Sequence, residues 1–349
     1  MAGIKRVTMQ DIADACGLSR NTVSKIFNGR GAVPEVTREL VLTKAMELGY
    51  HQFGDSETQF TQKTVSGNIA LLTHSKPFNH NFGSLFITNF TDQICRSGFN
   101  LKMFEISGEE YGKKQFPPHF IRQEIAGILA IELFDRDYTQ MVCDLGLPTL
   151  FIDSYDGALE ELMCCDLVYM ENYASSIALT RRQIQAGARE IGFVGDISHC
   201  GSFRERWNGF QAALAEAGLP VRKELCVLAD DSQPYGDVDW MEKQLNALPH
   251  IPDGFFCAND FLAIRVMQAL RRKGLSVPEN VMVTGFDGSP EASVIVPPLT
   301  TAEIPSAAIG RMSADMLLDR IETPDLPFRC SFIKTTPVWR DSVRQPIQP

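Results

Sequence analysis

Val7-Thr8-Met9-Gln10-Asp11-Ile12-Ala13-Asp14-Ala15-Cys16-Gly17-Leu18-Ser19-Arg20-Asn21-Thr22-Val23-Ser24-Lys25-Ile26-Phe27-Asn28-Gly29 decides the fold of the first fifty residues. Thr8 and Asp11 have the spacing of a capping box, in which a hydroxyl and a carboxylate satisfy the free N–H groups of a helix start. Ile12 and Ala13 give that helix an apolar side. Gly17 permits a sharp turn, and Ser19 suits the cap of a second helix running from Arg20 to about Phe27, with Val23, Ile26 and Phe27 facing inward. Asn28-Gly29 ends it. Pro34 suits the first turn of a third helix, where Val36, Leu40, Val41, Ala45 and Leu48 are expected to form its inner stripe until Gly49. Two short helices joined by a tight turn and braced by a third make a helix-turn-helix head.

Working outward, residues 51–66 are polar with no apolar stripe and read as a linker. From Gly67 onward, strand-like runs such as 68–73, 126–131, 148–152, 190–194, 254–257 and 281–286 alternate with amphipathic stretches such as 172–186, 204–218 and 260–274. That alternation predicts parallel sheets with helices on both faces. Some 280 residues exceed what one such sheet commonly needs, so two lobes with a cleft are expected. The organisation is therefore a head over 1–50, a linker over 51–66 and a two-lobed body over 67–343.

Composition narrows the function. The 349 residues are 44% apolar and 22% charged, which suits globular domains. No run approaches the length of a membrane span and no apolar leader opens the chain, so a cytoplasmic protein without membrane contact is expected. The net charge is −10, yet residues 1–52 carry seven Lys/Arg against five Asp/Glu. A cationic head on an acidic body predicts that any contact with phosphate is made by the head. The nine cysteines contain no Cys-x-x-Cys pair, which suits neither a disulfide framework nor a zinc site, and most are expected to be buried thiols.

On the second helix, Arg20, Asn21 and Lys25 lie opposite Val23 and Phe27. Arg and Lys can donate to the guanine O6/N7 edge and Asn can pair with adenine. Around them Thr8, Ser19, Thr22, Ser24 and Asn28 are small hydrogen-bonding residues able to hold phosphates and fix register. Caps and a solvated face would look the same, and composition alone does not choose. In the body, several strands end in a polar residue: Asp153, Asp196, Asn259-Asp260 and Asp287. Ligands of open α/β sheets bind outside the carboxyl ends of the strands, so a crevice suited to a polyhydroxylated ligand is expected, with helix capping as the plainer alternative.

The Val7–Gly29 run, with Thr37-Arg38 and Leu48-Gly49-Tyr50 behind it, resembles the DNA-binding domain of the lactose/galactose repressor family. Residues 202–210, Ala258-Asn259-Asp260, Gly285-Phe286-Asp287 and 297–301 resemble that family's effector-binding part, itself similar to periplasmic sugar-binding proteins. The resemblance implies a homodimeric transcriptional regulator, a repressor by default, on pseudo-palindromic double-stranded operator DNA. It further implies base reading by Arg20, Asn21 and Lys25. A small-molecule effector, a sugar or related metabolite, would be held by Arg206, Asn259 and Asp287, with Asp153 and Ser202 in lesser roles and Phe82, in the loop after the first strand, as an aromatic wall. Lys25 stands where the family has Arg, replacing a planar fork by a point charge. The linker departs further: His51-Gln52-Phe53 and Ser56-Glu57-Thr58-Gln59 replace the family's hinge pattern, with Phe60 the nearest apolar candidate. Asp55 and Glu57 would oppose phosphates, so a weaker hinge and less DNA bending are expected.

Enzyme signatures are missing from the sequence, with no phosphate loop, no nucleophile elbow and no His-Glu-x-x-His. Gly29-Arg30-Gly31-Ala32 mimics a dinucleotide fingerprint but follows a helix instead of a strand. The six histidines include no pair at ligand spacing; only His199-Cys200, in a loop, has a chance of meeting a metal or effector. No cofactor, no metal and no catalysis are expected. Two rivals stay open: a regulator controlled by a protein partner or by no ligand, and a sugar-processing enzyme with a DNA-binding head.

Overall fold

The computed structural model describes residues 7–27, 34–48, 67–74, 81–162 and 164–347. The linker, Phe60, Asn28 and the Gly29-Arg30-Gly31-Ala32 run lie outside them. The chain divides into two compact units, residues 1–65 and 66–349.

The first unit holds three helices, α1 (Met9–Cys16), α2 (Arg20–Phe27) and α3 (Glu35–Glu47). Thr8 and Asp11 complete the capping box, and Gly17 ends α1 at φ +64° with its N–H turned back on Ala13 and Asp14. The Ser19 hydroxyl accepts the Thr22 N–H at 3.1 Å, fixing the start of α2. Ile12, Ala13, Val23, Ile26, Val41 and Ala45 form the core. The expected α3 stripe is corrected: Val36, Leu40 and Leu48 are exposed at 79%, 47% and 39%. Val36 and Leu40 precede Val41 and Ala45 by five residues each, about 140° around a helix, so the two pairs cannot share one face. Leu48 lies beyond the end of α3.

The second unit is two-lobed. Its first lobe contains β1 (Gly67–Thr73), α4 (Asn81–Arg96), β2 (Phe99–Glu105), α5 (Gly108–Lys113), β3 (Ile125–Ile131), α6 (Arg136–Cys143), β4 (Thr149–Ile152), α7 (Ala158–Glu161) and β5 (Asp166–Met170). The second contains α8 (Tyr173–Gln185), β6 (Ile191–Val194), α9 (Gly201–Glu216), α10 (Val238–Ala247), β7 (Gly254–Cys257), α11 (Asp260–Arg272), β8 (Met282–Thr284), α12 (Pro290–Val294) and β9 (Thr301–Glu303). The chain then returns to the first lobe for α13 (Ser306–Glu322) and β10 (Cys330–Ile333), and back to the second for β11 (Thr336–Val338).

The first sheet runs β10-β5-β4-β3-β1-β2 and the second β6-β7-β8, every pairing parallel. β9 and β11 add an antiparallel pair. The central strands are near-continuous apolar runs, as burial on both faces requires. Sequence pattern missed β2, β5, β9, β10 and β11. Three of these are lobe-crossing or edge strands of three or four residues, too short to show a period.

The return of the chain is firmly tied. α13 packs along α4 so closely that a side chain on Gly310 would meet the Phe86 carbonyl at 2.4 Å. Arg320 forms a bidentate pair with buried Asp166 at 3.0 and 2.9 Å, anchoring α13 beside β5. Where the crossings run side by side, the Glu171 N–H donates to the Ile333 carbonyl at 2.7 Å, and the Thr335 hydroxyl donates to the Glu171 carbonyl at 2.7 Å. Cysteine burial is less general than expected: four are buried, while Cys95 at the end of α4 and Cys330 on the edge strand β10 are exposed.

Candidate functional site

In the first unit, Arg20, Asn21 and Lys25 are exposed on α2 while Val23 and Ile26 are buried, so the helix divides into an outward polar face and an inward apolar one. Thr8 and Ser19 are exposed and occupied as caps, with the Ser19 and Thr22 hydroxyls 2.8 Å apart. Thr22 and Ser24 are half-buried along the same helix. Capping and phosphate contact are compatible here, because a cap places the hydroxyl at a helix N-terminus where anions are favoured.

In the second unit, a cleft of about 1500 Å³ opens between the lobes at the carboxyl ends of the strands. It collects Asp153, Asp196, Ser202, Arg206, Asn259, Asp260 and Asp287, residues spread over 135 positions of the chain. Arg206, on α9, forms the floor. Its side chain is 3% exposed, so it is not a surface arginine. Nε donates to the Asn172 amide oxygen at 2.9 Å, Nη1 donates to the Ala258 carbonyl at 2.7 Å, and Nη1 lies 3.2 Å from Asp287 Oδ1. The guanidinium also rests 3.8 Å over the Phe286 ring. A planar fork held on three sides is pre-oriented toward an incoming oxygen.

Asn259 caps α11 by accepting the Leu262 N–H at 2.9 Å and also lines the cleft, so the two readings of this position coexist. Asp260 is buried and accepts from the Thr301 hydroxyl at 2.6 Å and the Ser289 N–H at 2.7 Å. Burial, and after it the charge of Asp287, pushes its carboxyl up to about 7. Ser202 is buried and accepts from the Asn172 amide at 3.2 Å. Asp196 accepts from the Ser198 hydroxyl and the Asp231 N–H.

Among the described residues, the non-glycine residues at positive φ are Lys114, Glu132, Asp153 and Asp287. The last three line the cleft. Such conformations cost roughly 1–3 kcal/mol each and gather where the surrounding structure holds a side chain for use.

His199 joins the cleft through Asp231, 2.5 Å away, and this partner holds the Asp231 carboxyl below its ordinary value. Its ring meets Phe134 of the opposite lobe edge-on at 4.7 Å. Phe82 is corrected in part: it sits in the first turn of α4 instead of a loop, and its side chain lies outside the described residues. Asn172 and Glu205 were missed. Asn172 donates to Met170, Ser202 and Glu205 while accepting from Arg206, which couples the cleft floor to a lobe crossing. It too follows a strand, β5, and recognising that strand would have exposed it. Burial raises the Glu205 carboxyl above its ordinary value, with the Asn172 hydrogen bond opposing.

Two groupings have the ligand types of a metal site. Asp196, Asp230 and Asp231 meet at the cleft lip, and the sulfurs of Cys143, Cys164 and Cys165 lie within 4.8 Å of one another away from it. The second grouping joins the end of α6 to the start of β5, a proximity that sequence spacing does not reveal.

Residues 8–52 match the bacterial regulatory proteins of the lacI family, and residues 180–343 match a periplasmic-binding-protein-like domain. By these two matches the chain resembles the lacI family of bacterial regulators. This regulator is 28% identical over 352 residues to the HTH-type transcriptional repressor PurR of Glaesserella parasuis serovar 5, covering 97% of this chain and 98% of the relative. It is 29% identical over 322 residues to the HTH-type transcriptional regulator CelR of Thermobifida fusca, covering 91% and 92%. A solved CelR–cellobiose complex superposes with a TM-score of 0.69 at 26% identity, over 97% of this chain and 100% of that one. A lac repressor dimer bound to operator and an anti-inducer gives 0.67 at 20% identity over 97% and 99%, a likeness of fold. The regulator thus joins a helix-turn-helix head to a two-lobed parallel α/β body, and the relatives named here are transcriptional regulators. No helix among the described residues is long and apolar enough to cross a membrane.

Proposed function

We propose that the protein is a cytoplasmic repressor that binds a pseudo-palindromic operator as a homodimer and responds to a sugar or related metabolite in the cleft, without turning it over. The working division is a head over 1–50, a linker over 51–66 and a sensing body over 67–343. The observation that carries this reading is the co-occurrence of an exposed Arg20-Asn21-Lys25 face with a floor built on buried Arg206. Arg20, Asn21 and Lys25 read base edges; Thr8, Ser19, Thr22, Ser24 and Asn28 hold phosphates. Arg206, Asn259 and Asp287 bind the effector, with Asp153, Ser202 and Phe82 around it. Effector and operator are coupled by about 1–3 kcal/mol through the relative orientation of the lobes.

The test uses the full chain and duplex fragments from its own promoter region at low salt. Specific binding that Arg20→Ala relaxes at one base pair, and that Ser19→Ala weakens on all sequences alike, supports the reading. Equal losses from both variants on specific and random DNA would remove the base-reading role. For the cleft, Asp287→Ala should abolish the metabolite response and leave operator affinity intact.

A further inference from the structure

The charge of the cleft says what kind of metabolite it takes. Its described lining carries ten carboxylates and two guanidiniums, Arg206 and Arg265. Glu132 and Asp153 come from the first lobe and Asp196, Asp260 and Asp287 from the second, so both walls are negative. Among the described residues, cations at the rim do not reverse this. Lys114 pairs with Asp135 at 2.6 Å and His199 with Asp231. Even with Lys114, His74 and His199 all taken as charged, carboxylates outnumber cations two to one. Arg206, the cation deepest in the floor, already faces Asp287, the Ala258 carbonyl and the Asn172 amide.

A concave site between low-dielectric walls concentrates the field of its charges. Burial raises the Asp260 carboxyl most, and the charge of its neighbour Asp287 adds to that, so like charges already oppose one another in the floor. A phosphate or carboxylate brought into the cleft meets like charge on both sides. A hydroxyl-rich neutral molecule meets acceptors for its O–H groups, and an ammonium gains attraction. The volume, about 1500 Å³, leaves room for a molecule larger than a monosaccharide.

We infer that the cleft selects by charge, admitting an uncharged or amine-bearing polyhydroxylated metabolite and rejecting the phosphorylated or carboxylated form of the same compound. This inference rests on the reading of the cleft as the effector site.

Two measurements on the full chain test it and separate it from that reading. The first does not depend on knowing the effector. Phe134→Trp and, as an independent reporter, Phe261→Trp each place an indole on the cleft wall, and quenching by thallous ion and by iodide is compared, each normalised to free N-acetyltryptophanamide and corrected for the three native tryptophans. Thallous ion should quench more efficiently by about threefold or more. Equal quenching, or preference for iodide, overturns the inference.

The second is calorimetry at low ionic strength with matched probes: glucose, glucosamine, glucuronate and glucose 6-phosphate, then cellobiose, adenosine and adenosine 5′-monophosphate. For any scaffold that binds, the anionic member should be weaker by about tenfold or more than its neutral counterpart, with the amine equal or tighter. An anion that binds as well as its neutral counterpart overturns the charge selection. Asymmetric quenching with no probe bound supports the negative cleft and counts against the metabolite-effector reading instead.

Discussion

The head and the cleft solve opposite problems with the same residue type. Arg20 stands exposed on a helix of eight residues, and its chemistry is supplied by what it will touch. Arg206 is 3% exposed and already committed to a carboxylate, a carbonyl, an amide oxygen and an aromatic ring. A DNA-reading arginine gains from being free to meet a polyanion. A cleft arginine gains from being fixed before a small ligand arrives, since little ligand surface is available to organise it. Replacement should therefore affect binding in one case and both binding and folding in the other.

The largest effect expected is on stability at the cleft floor. Arg206→Ala strips hydrogen-bond partners from the buried Asn172 amide oxygen and the Ala258 carbonyl, so chemical denaturation should show the second unit weakened by about 3 kcal/mol. A loss below about 1 kcal/mol would mean that the floor is wetter than its packing indicates, and the contrast with the head would disappear.

Next is Arg20→Ala, which should lower discrimination at one operator base pair by about 1–3 kcal/mol in a titration against single-base operator variants. The same variant should move head stability by less than about 0.5 kcal/mol. Thr8→Ala removes one side of the capping box and should cost the head about 1 kcal/mol in thermal unfolding, again in contrast with Arg20.

The smallest effect is a titration. The Asp260 carboxyl carbon should titrate near pH 7 by nuclear magnetic resonance, and Asp287→Asn should lower its midpoint by removing a like charge. The folded-state value lies above that of the unfolded chain. This group therefore favours folding less as pH rises from about 4 through about 7, where the native state holds a proton that the unfolded chain has released. A midpoint near 4 would show that water reaches Asp260.

The same contrast explains what could be read in advance. Everything that shapes the α2 face lies within a few residues: the Ser19 cap, the turn at Gly17, and the alternation of Arg20, Val23 and Lys25. Helical geometry converts that spacing directly into a surface. The cleft is assembled from strand ends far apart in the chain. Four of its carboxylates, Asp153, Asp196, Asp260 and Asp287, are visible singly, as polar residues closing apolar runs, but Asn172 hides behind an unrecognised strand and the Arg206–Phe286 contact behind 79 intervening positions. The α3 stripe failed for a different reason: five apolar residues were counted without measuring the angle between them, and two fall on the wrong side.

The doubling back of the chain has a consequence for how the protein is made. β10, which completes the first sheet beside β5, and α13, which covers α4, are encoded after every strand from β6 to β9. On a ribosome adding roughly 5–20 residues each second, the nascent first lobe waits on the order of ten seconds or more with one sheet edge bare and an apolar helix face uncovered. Nascent chains stalled before residue 330 hold both liabilities indefinitely, which makes this segment the point at which synthesis commits to a soluble product.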